Sequence, residues 1–324
     1  HLRADVHDRH DRTHGRKQGP VPSPARSQTQ HSFACDVPAK PPAVVNERPR
    51  ELRWYHAAGM LFGDWGTSRL YVLGLASPTH PLPKESYQAW TRTYEWRSLY
   101  GYDFVYAGPL FIHQLSHMWI DFRGIQDDYM RDRGIDYFEN SRRATYAQQQ
   151  YAVENPRGLK GYGEFIWGFT ASDGPGPAIE KIAGKERQFY DYINRGIPDG
   201  PDDGTLAPWA VIASLPFAPE IVLPSIRYFD QSFPEMTSKY GFKCSFNPTF
   251  SGASSNGWIS KGYYGLDQGP IVLMIENYRS EFIWQLMRSC PYIVTGLRRA
   301  GFSGGWLRNY PQIDSSGVVK AEEL

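Results

Sequence analysis

The stretch whose reading decides the fold runs from Ser254 to Trp306, SSNGWISKGYYGLDQGPIVLMIENYRSEFIWQLMRSCPYIVTGLRRAGFSGGW. Ile271, Met274, Ile275, Tyr278, Phe282 and Leu286 recur at three- and four-residue steps. That spacing puts apolar side chains on one face of a helix. Asp267 precedes Pro270, and proline is tolerated in a first helical turn because its missing N–H would be unpaired there. The spacing therefore predicts a helix starting near Asp267, ended or kinked at Pro291. Just upstream, Trp258, Tyr263, Tyr264, Asp267 and Gln268 are interleaved with Gly257, Gly262, Gly265 and Gly269. Aromatic faces cover the C–H side of a pyranose while carboxylate and amide groups bind its hydroxyls. The same residues also suit an aromatic-rich turn that seals a helix end, and spacing does not separate the two.

Working outward, Tyr162 to Pro177 (YGEFIWGFTASDGPGP) forms a second constellation, with Glu164, Trp167, Thr170 and Asp173 inside a Gly/Pro-framed loop. Tyr137 to Asn155 reads as a strong helix ended by Pro156 and Gly158, and Pro208 to Phe233 as a helix pair. Core candidates in that pair are Leu215, Phe217, Ile221, Val222, Ile226, Tyr228 and Phe229. Ala107 to Ile120 reads as a buried helix start, followed at once by Asp121 and Arg123, a structural ion pair or a ligand contact. Lys181 to Gly204 is polar, and its PDGPDDG run reads as a solvated turn. Residues 51–74 could pack one helix, although Gly59, Gly63 and Gly66 weaken the pattern.

Three patterns could hold metal, and none has the required spacing. His113 and His117 are four apart, but Gln114 stands where a zinc protease needs glutamate. Asp199, Asp202 and Asp203 lack the calcium-loop spacing. The five histidines of residues 1–50 sit among Arg and Asp without periodicity. No metal and no cofactor is expected.

Composition narrows the function. Aromatics make up 15% of the 324 residues, with 10 Trp and 21 Tyr, which favours a carbohydrate-handling protein. The net charge is +1, so no global field selects nucleic acid or an anionic membrane. Residues 1–50 hold 9 Lys/Arg against 5 Asp/Glu, leaving 26 against 29 elsewhere, so the remainder is slightly acidic. Cys35, Cys244 and Cys290 form no CxxC pair. No apolar run of membrane-spanning length occurs. With no dinucleotide or phosphate-binding motif, the repeating unit of helix, Gly/Pro-aromatic loop and helix predicts an all-α array whose loops gather at one end.

Seven stretches in order carry a resemblance: YVLGLASPTHPLP, YAGPLFIHQLSHMWIDFRGIQD, GIDYFENSRRATYAQQQYA, YGEFIWGFTASDGPG, APWAVIASLPFAPE, YGFKCSFNPTF and GLDQGPIVLMIENYRSEFIWQLM. From about Tyr71 to Trp306 the chain resembles the bacterial glycoamylase-like family (glycoside hydrolase family 144, with relatives in cyclic β-1,2-glucan synthases). The resemblance implies an (α/α)6 toroid over residues 51–306, flanked by a non-homologous or disordered segment, 1–50, and a polar tail, 307–324. It implies hydrolysis of β-1,2-glucan, with periplasmic or extracellular location, and a cleft lined by His117, Asp121, Arg123, Glu164, Trp167, Asp173, Asp267 and Gln268. The aromatic wall of Trp258, Tyr263 and Tyr264 adds to this set. A polysaccharide or oligosaccharide is the expected partner, nucleic acid is not, and a monomer is expected.

Departures accompany the match. Asp64-Trp65-Gly66-Thr67 stands where the family reads like Gly-Tyr-Asn-Glu, whose Glu is an expected acidic active-site residue. Cys244-Ser245-Phe246-Asn247 replaces the usual Asp-Ala-Phe-Asn. The toroid is therefore expected to be incomplete at its N-terminal side. A carboxyl walled by aromatics loses solvation and keeps its proton, which suits an acid. Glu164, between Tyr162 and Trp167, is expected in that role, with Asp267 at a helix N-terminus as base. A glucan-binding homologue without chemistry, or an enzyme for another linkage, remains the alternative.

Overall fold

Helix α5 (Pro208–Ala213) is buried at every residue and sits at the centre of the largest apolar cluster. Its sequence PWAVIA has no polar side chain to keep one face wet, and Pro208 opens it at the first helical position. In the computed structural model, which describes residues 74–77, 79–251 and 256–310, eight further α-helices accompany it. They are α1 (Lys84–Thr91), α2 (Leu110–Gln114), α3 (Asp128–Arg133), α4 (Tyr137–Glu154), α6 (Pro219–Ser232), α7 (Gly265–Ser280), α8 (Phe282–Arg288) and α9 (Pro291–Arg299). The described residues belong to one compact unit. No helix among them is long and apolar enough to cross a membrane. The histidine tract of residues 1–50, the segment around Asp64 and the tail from Pro311 lie outside the described residues.

The molecule is helix-rich, but the expectation of a purely α array needs a correction. Six two-stranded antiparallel ribbons occupy the connections among the described residues. The longer ones pair Trp96–Leu99 (β1) with Tyr102–Val105 (β2), and Ala178–Ile182 (β3) with Lys185–Phe189 (β4). Lys181 to Gly204, polar in sequence, thus begins inside a hairpin.

Helix α4 shows why its sequence folds as predicted. Asp136 caps its first turn by accepting from the Glu139 N–H at 2.7 Å, and Asn155 closes it at φ 45°. Apart from Tyr151, its buried face is built from small and amide side chains, and Gln148 donates to Gly108 O and accepts from Phe169 N–H. A buried amide used on both ends is nearly as favourable as an apolar one, because neither group is left unpaired.

Helix α7 departs from the apolar stripe read in the sequence. It starts two residues earlier than Asp267, at Gly265, so Pro270 falls in its second turn. Its inward face is Asp267, Pro270, Met274 and Asn277, whereas Tyr278, Phe282 and Leu286 are exposed. For Phe282 and Leu286 the cause is a break at Glu281 (φ 57°), which ends α7 and changes the phase, so that α8 turns Trp284 inward instead. Asn277 fixes the junction, donating to Met118 O at 3.0 Å and accepting from Trp284 N–H. Pro291 neither ends nor kinks α7; it opens α9.

The second correction concerns PDGPDDG. Asp202 and Asp203 are buried. Asp203 pairs with the fully buried Arg195, whose Nε and Nη2 lie 2.8 and 2.9 Å from its two oxygens. The remaining guanidinium contacts run to Ser172 O, Tyr190 O and Asp191 O. Asp202 accepts from Tyr151 at 2.7 Å and from Tyr162. The carboxylates are drawn inside because each finds a complete set of donors, which turn composition does not reveal. Burial alone would raise Asp203, but the hydrogen bonds and charge of Arg195 outweigh it and hold the carboxyl below its ordinary value. Replacing Asp203 by Ala is expected to cost about 3–5 kcal/mol in denaturant unfolding, since it strands a buried guanidinium. Because the folded-state value is depressed, this part of the parent's stability is present above about pH 4 and is lost as the pH falls through the folded value.

Candidate active site

Three segments meet at the N-terminal end of α7: Thr170–Gly174, Cys244–Asn247 and Trp258–Asp267. The ribbon Phe246–Asn247/Trp258–Ile259 joins the last two, and Ser260 N–H bonds Ser245 O at 3.0 Å. Serine hydroxyls then fix the first segment. Ser245 Oγ donates to Asp173 O and Ser260 Oγ to Asp173 Oδ2, each at 2.7 Å, while Asp173 Oδ1 accepts from Gly174 N–H. The ribbon needs glycine at one point: Gly257 has φ 84°, and a Cβ there would lie 2.2 Å from Asn247 O.

Asp267, in the first turn of α7, is only 4% exposed, and its Oδ2 has no hydrogen-bond partner. Desolvation raises its pKa to about 6; the Cys244 thiol, hydrogen-bonded to it, opposes the rise, and the nearby Asp173 charge adds to it. Two phenols feel the Asp267 charge. Burial and the charge of Asp267 raise Tyr192, and burial with the charges of Asp173 and Asp267 raises Tyr264. Both rings are partly open to solvent, at 56% and 45%. Gly262 admits the Tyr264 ring, which folds to within 2.5 Å of where a Cβ would be. Beneath them is a hollow of about 20 Å³ lined by Phe111, Leu115, Ala171, Tyr192, Trp209 and Leu266, room for about one water. The Trp209 indole N–H, buried there, has no partner.

The structure thus brings together Asp173, Asp267 and Tyr264 from the expected set. Gln268 adjoins them, donating to Phe242 O at 2.7 Å. Tyr263 packs edge-on to Tyr240, and half-buried Trp258 pairs with Asn247 across the ribbon. The other expected residues lie elsewhere. Trp167 is sealed in the core, its indole N–H bonded to Ser225 Oγ, and offers no face to a ligand. Glu164 is exposed on the tight turn Gly163–Ile166, whose bonds run to Gln149 and whose Phe165 stacks on Tyr228. It shares no contact with Asp267, and it lacks the burial expected of an acid.

His117, Asp121 and Arg123 gather at the far end of α7. Asn277, which holds Met118, is ten residues beyond Asp267, about 15 Å along a helix axis. His117 is buried, bonded to Ser141 Oγ at 3.0 Å, and held down to about pKa 3 by desolvation and by His113. Asp121 accepts from Arg123 Nε at 2.8 Å and also pairs with Arg288, while Arg123 reaches Glu281 at 2.9 Å. This cluster clamps the α7–α8 break.

Sequence reasoning missed Cys244, Ser245 and Ser260 as supports, and Tyr192 and Trp209 as walls. Ser260 lies inside the aromatic-glycine loop, and Cys244-Ser245 marks only a departure from the family pattern. Nothing local marks Tyr192 or Trp209.

The chain matches the model of the family described as "Putative glucoamylase" over residues 67–291 and belongs to that family. The exo β-1,2-glucooligosaccharide sophorohydrolase of Parabacteroides distasonis is 32% identical over 194 residues, covering 60% of this chain and 23% of that one. Among solved structures, the "putative glucoamylase" of Bacteroides uniformis is 35% identical with a TM-score of 0.63, covering 74% of this chain and 54% of that one. The endo-β-1,2-glucanase of Chitinophaga pinensis, solved with sophorotriose and glucose, is 30% identical with a TM-score of 0.61, covering 72% and 53%. The chain thus spans about a quarter of the sophorohydrolase and about half of these structural relatives.

The raised Asp267 has a stability consequence. Its unfolded form ionises near pH 4, while the folded form holds its proton until about 6, so stability falls as the pH rises through that window. Asp267→Asn removes the penalty. Denaturant unfolding is expected to show the variant gaining up to about 2–3 kcal/mol over the parent near pH 8 and little near pH 4.

Proposed function

We propose that the chain is a glycoside hydrolase acting on β-1,2-linked glucan, built as an (α/α)6-type toroid with its site at the N-terminal end of α7. The observation that carries the reading is a buried Asp267, raised to about 6, within electrostatic reach of Asp173 and of the partly exposed Tyr192 and Tyr264. Breaking a glycosidic bond requires one carboxyl that still holds a proton and one carboxylate. Asp267 supplies the proton to the leaving oxygen, and Asp173, positioned by Ser260 and Gly174, activates the attacking water. This reverses the role first expected for Asp267. The dipole of α7 favours an anion there, but the desolvation of a residue 4% exposed prevails.

Tyr192 and Tyr264 give the sugar its apolar contacts. The linkage rests on the relatives, two of which are named for β-1,2-linked glucans or glucooligosaccharides.

Reducing ends released from β-1,2-glucan and from starch measure the proposal. Asp267→Asn and Asp173→Asn are each expected to lower β-1,2-glucan cleavage about 100- to 10,000-fold, with Glu164→Gln changing it far less. Because Asp267 must be protonated, parent activity should fall as the pH rises above about 6. Cleavage by Asp267→Asn within about threefold of the parent would remove Asp267 from the chemistry.

A further inference from the structure

A cavity larger than the hollow beside Asp267 lies away from that residue. It has a volume of about 620 Å³ and is bounded by Arg157 and Leu159 after α4, by Lys185, Glu186, Arg187 and Gln188 of β4, and by Tyr190; the Arg187 guanidinium is committed to Arg157 O and Gly158 O. Cavities of about 300–1,000 Å³ suit organic ligands rather than a single ion. The acids in its floor are already committed: Asp199 to Arg97, Asp202 to Tyr151 and Tyr162, and Asp203 to Arg195. They therefore present no bare carboxylates to a cation. The side chains of Lys185, Glu186 and Gln188 make no hydrogen bond or ion pair with other described residues, so the wall offers donors and acceptors together. Leu159, Pro201 and the Tyr190 ring add apolar surface between them. Mixed polar groups of both kinds beside apolar patches match a neutral, hydroxyl-rich ligand.

Its position ties it to the candidate site. Tyr190 borders this cavity and Tyr192 borders the hollow next to Asp267, two residues and at most about 7 Å of chain apart. The ridge between them is pinned: Tyr190 N–H bonds Asp203 Oδ2 at 3.0 Å, and Arg195 Nη2 donates to Tyr190 O and Asp191 O at 3.2 Å. We infer that the cavity is an outlying subsite, holding sugar units of a glucan chain that crosses the Tyr190–Tyr192 ridge on its way to Asp267. This rests on the hydrolase reading above. The subsite makes the protein favour longer chains, because each added unit beyond the ridge gains contacts that a disaccharide at Asp267 does not reach.

The test measures binding of β-1,2-linked oligosaccharides of increasing length to Asp267→Asn, in which cleavage is suppressed, with and without Lys185→Ala plus Gln188→Ala. Both substituted side chains are exposed on a hairpin strand, and a thermal melt verifies folding. Affinity is expected to rise roughly tenfold from the shortest to the longest ligand, and the double substitution should abolish most of that rise. A rise that survives the double substitution overturns the subsite alone. Absence of binding to every β-1,2-linked oligosaccharide, in both proteins, overturns the hydrolase reading and the subsite with it.

Discussion

The inward face of α7 is the constraint on which the site depends. Asp267, Pro270, Met274 and Asn277 follow one another along it. Met274 packs in the main core, while Asn277 fastens the far end to Met118 and Trp284. The helix cannot roll to expose Asp267 without stranding the Asn277 amide and lifting Met274 from its contacts. A buried amide left unpaired costs about 1–3 kcal/mol. The carboxyl is therefore held in a poorly solvated place by packing and bonding some 15 Å away along the axis.

Polar burial does comparable work elsewhere. Gln114 donates to Ala210 O and Ser214 Oγ, and Asn247 to Asp203 O and Thr205 Oγ1. Arg195 joins Ser172, Tyr190, Asp191 and Asp203 in one network. Ser172 is next to Asp173, and Asp191 separates the two tyrosines that wall the two cavities. The same guanidinium thus fixes the loop that carries a carboxylate and the ridge beside it. Loops alone would hold these groups loosely. Bonded to a fully paired buried charge, they take one arrangement.

How much of this was legible depends on the range of the cause. α4 was legible because its signals are local: Asp136, Asn155 and Pro156 stand next to the residues they cap. The start of α7 near Asp267 was legible for the same reason. The break at Glu281 was not, since no glycine or proline marks it, and the ion cluster that holds it comes from Asp121 and Arg123, far away in sequence. Asp202 and Asp203 were misread because turn composition says solvent, and their donors Tyr151, Tyr162 and Arg195 are invisible to a local pattern. In the site, the aromatic-glycine loop revealed Asp267 and Tyr264. Glu164 had equally aromatic neighbours, but in the fold Trp167 turns into the core while Glu164 faces solvent. Adjacency in sequence did not become adjacency in space.

The two halves of the site are therefore held differently, and the difference suits the chemistry proposed. Asp173 is tied by Ser245, Ser260 and Gly174, groups that come from a short ribbon and its flanks. Asp267 is tied through helix packing. Both carboxyls are held by bonds or packing already in place, and fixed groups cost no reorganisation during a reaction. Tyr192 and Tyr264 are half open to solvent, and on the proposed reading it is these rings that must shift to admit a sugar, because the hollow has room for only about one water. On the proposed reading, a pyranose seated there would take still more solvation from the Asp267 carboxyl and strengthen its hold on the proton. Substrate entry then completes the acid rather than merely finding it.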